Sequence, residues 1–181
     1  MFKHEKVLWI TRTAVLIAIV ITLQAATRVF ANNYVTGSVV NLMLIISVMT
    51  CGLYSGMTVG AVTPFIAILV GVAGPTWSFA PFIALGNILL VTIWHFIGNR
   101  EIVNKYVAQF IALVVGGLAK FAVLHFGIVW FQMGIKTFNP VALLANPLSV
   151  PQLITASIGG VCAILILPPL QKAIKKAFKA Q

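Results

Sequence analysis

Six apolar stretches, separated by short polar or glycine-rich breaks, account for most of the 181-residue chain. Crossing the hydrocarbon core of a bilayer takes about 20 residues of α-helix, each rising about 1.5 Å. On this measure the sequence predicts an all-α membrane protein, folded as one domain over residues 1–181. The six predicted spans are 7–30, 39–53, 57–72, 79–97, 106–131 and 153–170.

The second and third predicted spans are short and lie close together in the chain. Only residues 54–56 separate them, which predicts a tight helical hairpin. Gly52, Gly56 and Gly60 recur every four residues, a spacing that lets helix backbones approach closely. Pro64 is expected to kink the third helix.

Three loops are predicted at the other end of the bundle from the termini, at residues 31–38, 73–78 and 134–152. The last is the longest and contains several asparagines and prolines. It is too apolar for a solvated linker, and long loops of this kind often cover a site, so we expect it to fold back as a lid.

The charge distribution predicts the orientation in the membrane. Hydrophobic residues make up 61% of the chain and charged residues 8%, so the net charge of +10 does not indicate nucleic-acid binding. With both termini in the cytoplasm, only Arg28 and Lys136 would lie on the outer side. The cytoplasmic side would carry Lys3, Lys6, Arg12, Arg100, Lys105, Lys172, Lys175, Lys176 and Lys179. The basic tail from 172 to 179 is expected to lie along the inner leaflet, or simply to anchor the topology.

The acidic residues limit the available chemistry. The chain has no aspartate, and its two glutamates, Glu5 and Glu101, lie outside the predicted spans. Carboxylate acid–base catalysis, carboxylate proton relays and magnesium or calcium sites inside the membrane are therefore not expected. The three histidines lack zinc-site spacing, and there is no P-loop. The sequence predicts a protein that is not an enzyme and has no metal or cofactor.

Lys120 lies in the middle of the fifth predicted span, where a lone ammonium costs about 2.5 to 3.5 kcal/mol on insertion scales. Ala112, Gly116 and Lys120 are four residues apart, so they share one helix face. Small residues on this face favour packing against neighbouring helices, which directs Lys120 into the bundle. Either a bound anion or counter-charge, or backbone carbonyls and water, would offset the buried charge.

Other polar and aromatic residues gather in the outer half of the predicted bundle. With Lys120, the cation of Arg28 suits a carboxylate or phosphate, and amides suit hydroxyl or amide groups. Each residue also has a structural alternative: Arg28 and the tryptophans as interfacial anchors, the asparagines as links between helices. His125 lies about 140° around the helix from Lys120 and ranks below it. The candidate substrate-binding residues are Lys120, Asn87, Arg28, Asn41, Trp130, Gln132, His125 and Trp77.

The first span carries two alanines, Ala14 and Ala18, at the spacing typical of close helix contacts. The sequences AVLIA at 14–18, TGSVVN at 36–41, TPF at 63–65 and PFIALGN at 81–87, with six spans and cytoplasmic termini, resemble a known family. The chain is similar to the S component of energy-coupling factor vitamin transporters, in the riboflavin-transporter-like branch. The resemblance covers nearly the whole chain.

The resemblance implies a binding subunit without a motor, in the bacterial cell membrane. Such a subunit captures a vitamin outside and associates with a transmembrane coupling protein and two cytosolic ATPases. Ala14 and Ala18 would then form the surface that meets the coupling protein. With no acidic group for an amine-bearing vitamin, pantothenate fits best, then folate, with hydroxymethylpyrimidine and riboflavin open. The competing interpretation is a small oligomeric anion channel or structural membrane protein, assembled through Gly52, Gly56 and Gly60.

Overall fold

The protein is built from α-helices, as predicted. The computed structural model describes residues 2–30, 32–73, 77–100, 104–134 and 148–179, with their side chains except at 2–5, 128–134 and 177–179. These residues form no β-strand. The helices are α1 Phe2–Arg28, α2 Asn33–Cys51, α3 Leu53–Leu69, α4 Ala80–Phe96, α5 Lys105–Gly134 and α6 Val150–Lys179, with a short 3-10 helix at Trp77–Phe79 before α4.

Five of these helices, α1, α2, α4, α5 and α6, contain stretches long and apolar enough to cross a membrane. Helix α3 is shorter, at 17 residues, which is the lower limit of the usual range of about 17 to 25. The all-helical, membrane-spanning character of the chain is therefore confirmed. The prediction of six crossings with both termini in the cytoplasm stays a prediction.

The start of α2 corrects one predicted loop. The predicted loop over 31–38 is wrong from Asn33 onward, because α2 begins there. The side chain of Asn32 accepts a hydrogen bond from the backbone N–H of Tyr34 at 2.9 Å and so caps the helix. An asparagine at this position is a strong helix-start signal, since it satisfies a backbone donor that lacks a partner in the first turn.

The turn between α2 and α3 consists of a single residue, Gly52, rather than the predicted residues 54–56. Its φ of +86° lies in the region that glycine adopts without the steric penalty of a side chain. The N–H of Gly52 bonds to the carbonyl of Val48, and the carbonyl of Gly52 accepts from the N–H of Gly56. One glycine therefore closes α2 and opens α3.

Helix α6 is longer than the predicted span. It begins at Val150 and runs through Pro168 and Pro169 to Lys179, so the basic tail continues the helix. Pro151 is tolerated because the N–H it lacks would have no partner in the first turn. The lid predicted over 134–152 lies mostly outside the described residues.

Helix α2 lies at the centre of the bundle and contacts α1, α3, α4 and α6, while α5 packs on α4 and α6. Buried residues of these central helices form the hydrophobic core, among them Leu44, Ile45, Val48, Leu90, Val91, Trp94, Ala112, Leu113, Ala163 and Leu167. Helices α2 and α6 approach closely, because a Cβ on Gly159 would lie 2.6 Å from the Ser38 carbonyl oxygen. This packing brings the starts of α2, α4 and α6 to one end of the bundle.

Candidate functional site

Lys120 is buried in the bundle, with 3% of its surface exposed, and its charge is satisfied by two asparagines. The Nζ atom donates to Oδ1 of Asn41 at 2.6 Å and to Oδ1 of Asn87 at 2.8 Å. Hydrogen bonds from a charged donor are shorter and stronger than those between neutral groups. It is the only charged side chain that is buried among those described. The ammonium thus joins α5 to α2 and α4.

Asn41 is held in place by α6. Its Nδ2 donates to Oγ1 of Thr155 at 3.2 Å, and the Thr155 hydroxyl donates to the backbone carbonyl of Gln152 at 3.1 Å. Because the amide nitrogen of Asn41 faces Thr155, the amide oxygen of the same side chain faces Lys120. The same side chain that links two helices therefore presents an acceptor to the ammonium.

Asn87 is held by a carbonyl that a proline leaves without a helical partner. A residue in a helix donates its N–H to the carbonyl four positions earlier, but Pro64 has no N–H, so the carbonyl of Gly60 lacks this donor. Nδ2 of Asn87 donates to that oxygen at 3.1 Å. A Cβ on Gly60 would lie 3.1 Å from Cβ of Asn87, so glycine permits the close approach of α3 and α4. This bond turns the Asn87 oxygen towards Lys120.

A cavity of about 520 Å³ opens beside the ammonium. Lys120 and Asn87 line its inner part, and the rest of the lining comes from the end of α1, the segment after α3 and the starts of α2, α4 and α6. The polar side chains in the lining also include Gln24, Arg28, Asn33, Thr36, Gln152 and Thr155. Among the described residues, two cations and no carboxylate line this space. An ammonium has three donors, and two of the Lys120 donors are used within the described residues, so one is left for a ligand.

The cavity is closed at its inner end by the hydrophobic core. Leu44 and Val48 follow Asn41 along α2, and Leu90 and Trp94 follow Asn87 along α4, all of them buried. None of these four residues belongs to the cavity lining, so the cavity ends at about the level of Lys120. The arrangement is a cup with a cationic floor, suited to a small solute with an anionic group.

Only some of the predicted site residues come together in the structure. It brings Lys120, Asn41 and Asn87 together, and it places Arg28 in the cavity lining, where its guanidinium donates to the carbonyl of Gly71. His125 does not line the cavity; its ring bonds to the Ser149 hydroxyl at 2.9 Å and stacks on Phe121.

Of the three remaining candidates, only Trp77 has a described side chain. Trp77 is half exposed on the 3-10 helix and does not line the cavity. Trp130 and Gln132 belong to α5, but their side chains lie outside the described residues. The two residues predicted to meet a partner protein, Ala14 and Ala18, are exposed on α1.

Sequence reasoning missed five polar residues of the cavity lining, Gln24, Asn33, Thr36, Gln152 and Thr155. Gln24 lies one turn before Arg28 on the same helix face, a spacing that could have found it. The spacing of Gly60 and Pro64 also carried a readable signal, since a proline frees the carbonyl four residues earlier. Nothing in the sequence pattern singles out Gln152 or Thr155.

Comparison of the chain with known protein families, curated proteins and solved structures finds no match.

Proposed function

We propose that this chain is the substrate-binding S component of an energy-coupling factor importer in the bacterial cell membrane, and that it captures a small water-soluble vitamin with an anionic group. The observation that carries the proposal is the cavity of about 520 Å³ with the buried Lys120 ammonium at its floor. This volume falls within the range of about 300 to 1,000 Å³ typical of small-molecule sites.

The lining favours an anion over a cation. Lys120 and Arg28 supply positive charge, and the glutamines, asparagines and threonines supply donors and acceptors for amides and hydroxyls. Pantothenate has one carboxylate, hydroxyls and an amide, and therefore fits best. Folate is next, with hydroxymethylpyrimidine and riboflavin behind. An amine-bearing vitamin would find no acidic partner in this lining.

Two features favour a binding cup over an anion channel. A channel needs polar groups along its whole length, whereas the core beyond Lys120 is largely apolar, and its buried polar side chains Ser47 and Gln109 do not line this cavity. The glycines that would join copies of the chain are used within it: a Cβ on Gly56 would lie 2.7 Å from Cβ of Val48, and Gly60 abuts Asn87. These contacts leave neither glycine free to pack against a second copy.

The proposed partners are a transmembrane coupling protein and two cytosolic ATPases. The chain has no P-loop and so needs an external source of energy for uptake. Helix α1 contacts only α2 and α3 extensively, and Ala14 and Ala18 lie on its exposed part. An exposed pair of alanines four residues apart is suited to close contact with another helix.

Ligand binding by the purified protein tests the proposal directly. We expect pantothenate to raise the melting temperature more than folate, riboflavin, thiamine, hydroxymethylpyrimidine, biotin or cobalamin, because a ligand that binds only the folded state stabilises it in proportion to the logarithm of its concentration over its Kd. If none of these compounds raises the melting temperature of a well-folded protein, the channel or structural interpretation would be favoured.

Lys120→Met is expected to weaken binding of the anionic ligand by about 10- to 100-fold, the loss of a hydrogen bond to a charged group. Lys172→Met removes an exposed lysine far along α6 and is the matched control. Calorimetric titration of both variants measures the difference. Arg28→Gln, at an exposed position of the lining, gives a second test that leaves the buried network intact. Unchanged affinity in both site variants would contradict a carboxylate-anchoring role.

A further inference from the structure

A second cavity, of about 310 Å³, lies at the other end of the bundle. Its polar lining consists of Thr50 at the end of α2, Asn99 after α4, Lys105 at the start of α5, and Gln171 and Lys175 near the end of α6. We call it the basic-end cavity. It shares no lining residue with the cavity beside Lys120. The proposed vitamin binding therefore gives it no role.

One lysine of the basic-end cavity is fixed and the other is free. Nζ of Lys105 donates to Oε1 of Gln171 at 2.6 Å, and Nε2 of Gln171 donates to the carbonyl of Met49 at 3.4 Å. Lys175 is exposed and makes no hydrogen bond or ion pair with a described residue. Two ammonium groups thus face one space, and no carboxylate belongs to the described residues of its lining. Like charges so placed repel each other unless an anion lies between them.

An unpartnered polar side chain lies deeper at the same end. Gln109 is one turn beyond Lys105 on the same face of α5 and is fully buried. Neither its Nε2 nor its Oε1 has a hydrogen-bond partner among the described residues. Leaving a buried donor or acceptor unsatisfied is unfavourable, so this position favours a bound water or another polar group beside Gln109.

We propose that the basic-end cavity binds a phosphate group, with Lys105 and Lys175 as its cationic ligands. Phosphate oxygens accept from both ammonium groups at once, and basic pockets between membrane helices bind phosphorylated head groups. Tyr106, the residue after Lys105, and Phe110, one turn further along α5, expose large apolar surfaces where acyl chains can lie. The phosphate belongs either to an anionic phospholipid or to free inorganic phosphate.

The test compares adjacent lysines on one helix. Lys175→Gln removes a cavity cation, and Lys176→Gln makes the same charge change at an exposed position outside the lining. Native mass spectrometry measures how many phosphatidylglycerol and phosphatidylcholine molecules the full chain retains from mixed micelles, with no vitamin present. We expect Lys175→Gln to lower the preference for phosphatidylglycerol by about tenfold. Lys176→Gln should lower it at most about fivefold, the effect of one surface charge.

A second arm separates the two sources of phosphate. In nanodiscs of phosphatidylcholine alone, inorganic phosphate is added against chloride at equal ionic strength and the melting temperature is recorded. A rise that Lys175→Gln removes and Lys176→Gln keeps identifies free phosphate as a ligand; no rise, with retained phosphatidylglycerol, identifies the lipid.

The double variant Lys105→Gln/Lys175→Gln should lose the preference for phosphatidylglycerol completely. The double variant Lys105→Arg/Lys175→Arg keeps both positive charges and should retain the preference. Equal losses in the Lys175 and Lys176 variants would overturn the proposal in favour of a diffuse basic surface. A wild-type protein that responds to neither phosphatidylglycerol nor phosphate would also overturn it. Because neither measurement uses a vitamin, a negative result would not contradict the proposed vitamin binding.

Discussion

At the scale of single residues, the central feature is a buried ammonium that is hydrogen-bonded by two neutral amides rather than paired with an opposite charge. The spacing of Ala112, Gly116 and Lys120 correctly predicted that the lysine points into the bundle. The partners predicted for it, an anion or backbone carbonyls and water, did not include asparagine side chains. Asn41 and Asn87 lie 79 and 33 positions away along the chain, and only helix packing brings them together.

Removing one amide acceptor should destabilise the fold. In Asn87→Leu the Lys120 ammonium keeps only Asn41 as an acceptor, and the Gly60 carbonyl loses its donor. Unsatisfied buried groups of this kind cost about 1 to 3 kcal/mol, more for charged ones. Thermal unfolding in detergent should show a lower melting temperature than for Asn99→Leu, a change at an exposed asparagine. Equal melting temperatures would contradict this account of the network.

A charged replacement separates stability from binding. In Asn41→Asp the carboxylate can accept from Lys120 and neutralise it, and its second oxygen can accept from the Thr155 hydroxyl, so the floor of the cavity loses its net positive charge. We expect a folded protein with at least tenfold weaker binding of an anionic ligand, measured by calorimetry. Wild-type affinity in this variant would show that the charge of Lys120 does not attract the ligand.

At the scale of helices, the glycine spacing predicted close approach of the two helices of the hairpin, which is confirmed for Gly56 but not for Gly60. Gly56 packs against Val48 of α2 and Gly60 against Asn87 of α4, whereas Gly52 forms the turn itself. A four-residue spacing fixes the helix face but contains no information about its partner. The start of α2 was missed for a different reason: the apolar run begins later than the cap at Asn32.

The contact between α2 and α6 is expected to be intolerant of a single added methyl group. In Gly159→Ala the new Cβ would lie 2.6 Å from the Ser38 carbonyl oxygen and 2.9 Å from Cβ of Asn41. Such overpacking costs about 1 to 3 kcal/mol, and it would also displace an acceptor of Lys120. We expect a lower melting temperature and weaker ligand binding.

Gly117→Ala is the matched control for Gly159→Ala. Its Cβ would lie 3.7 Å from the nearest side chain, Leu153, which is an ordinary contact. Since alanine is favoured over glycine in a helix by about 1 kcal/mol, this variant should be neutral or slightly stabilised. A loss of stability in both variants would point to a general effect of methyl groups in the bundle instead.

At the scale of the whole molecule, two polar cavities lie at opposite ends of a bundle whose middle is apolar. The sequence predicted the all-helical, membrane-spanning character because long apolar runs have few other solutions in lipid. The cavities were not predictable in the same way. Their linings combine the ends of several helices, so their volumes depend on how those helices pack.

The exposed face of α1 provides a test of assembly. Ala14→Trp and Ala18→Trp should leave vitamin binding intact and abolish uptake in the reconstituted transporter, because a large side chain prevents close helix contact. Val15→Trp, at an exposed residue on a neighbouring face, is the control and should retain more transport. Vitamin uptake into proteoliposomes measures all three. Full transport by both alanine variants would place the coupling surface elsewhere.

The proline in α3 has a consequence for sequence change over time. Any replacement of Pro64 with a free N–H would return the Gly60 carbonyl to the helix, and Asn87 would lose the bond that orients it. A larger residue at position 60 would instead push Asn87 away. We therefore expect Gly60, Pro64 and Asn87 to be kept together or replaced together in related sequences. Their covariation would then reveal a contact between positions 27 residues apart in the chain.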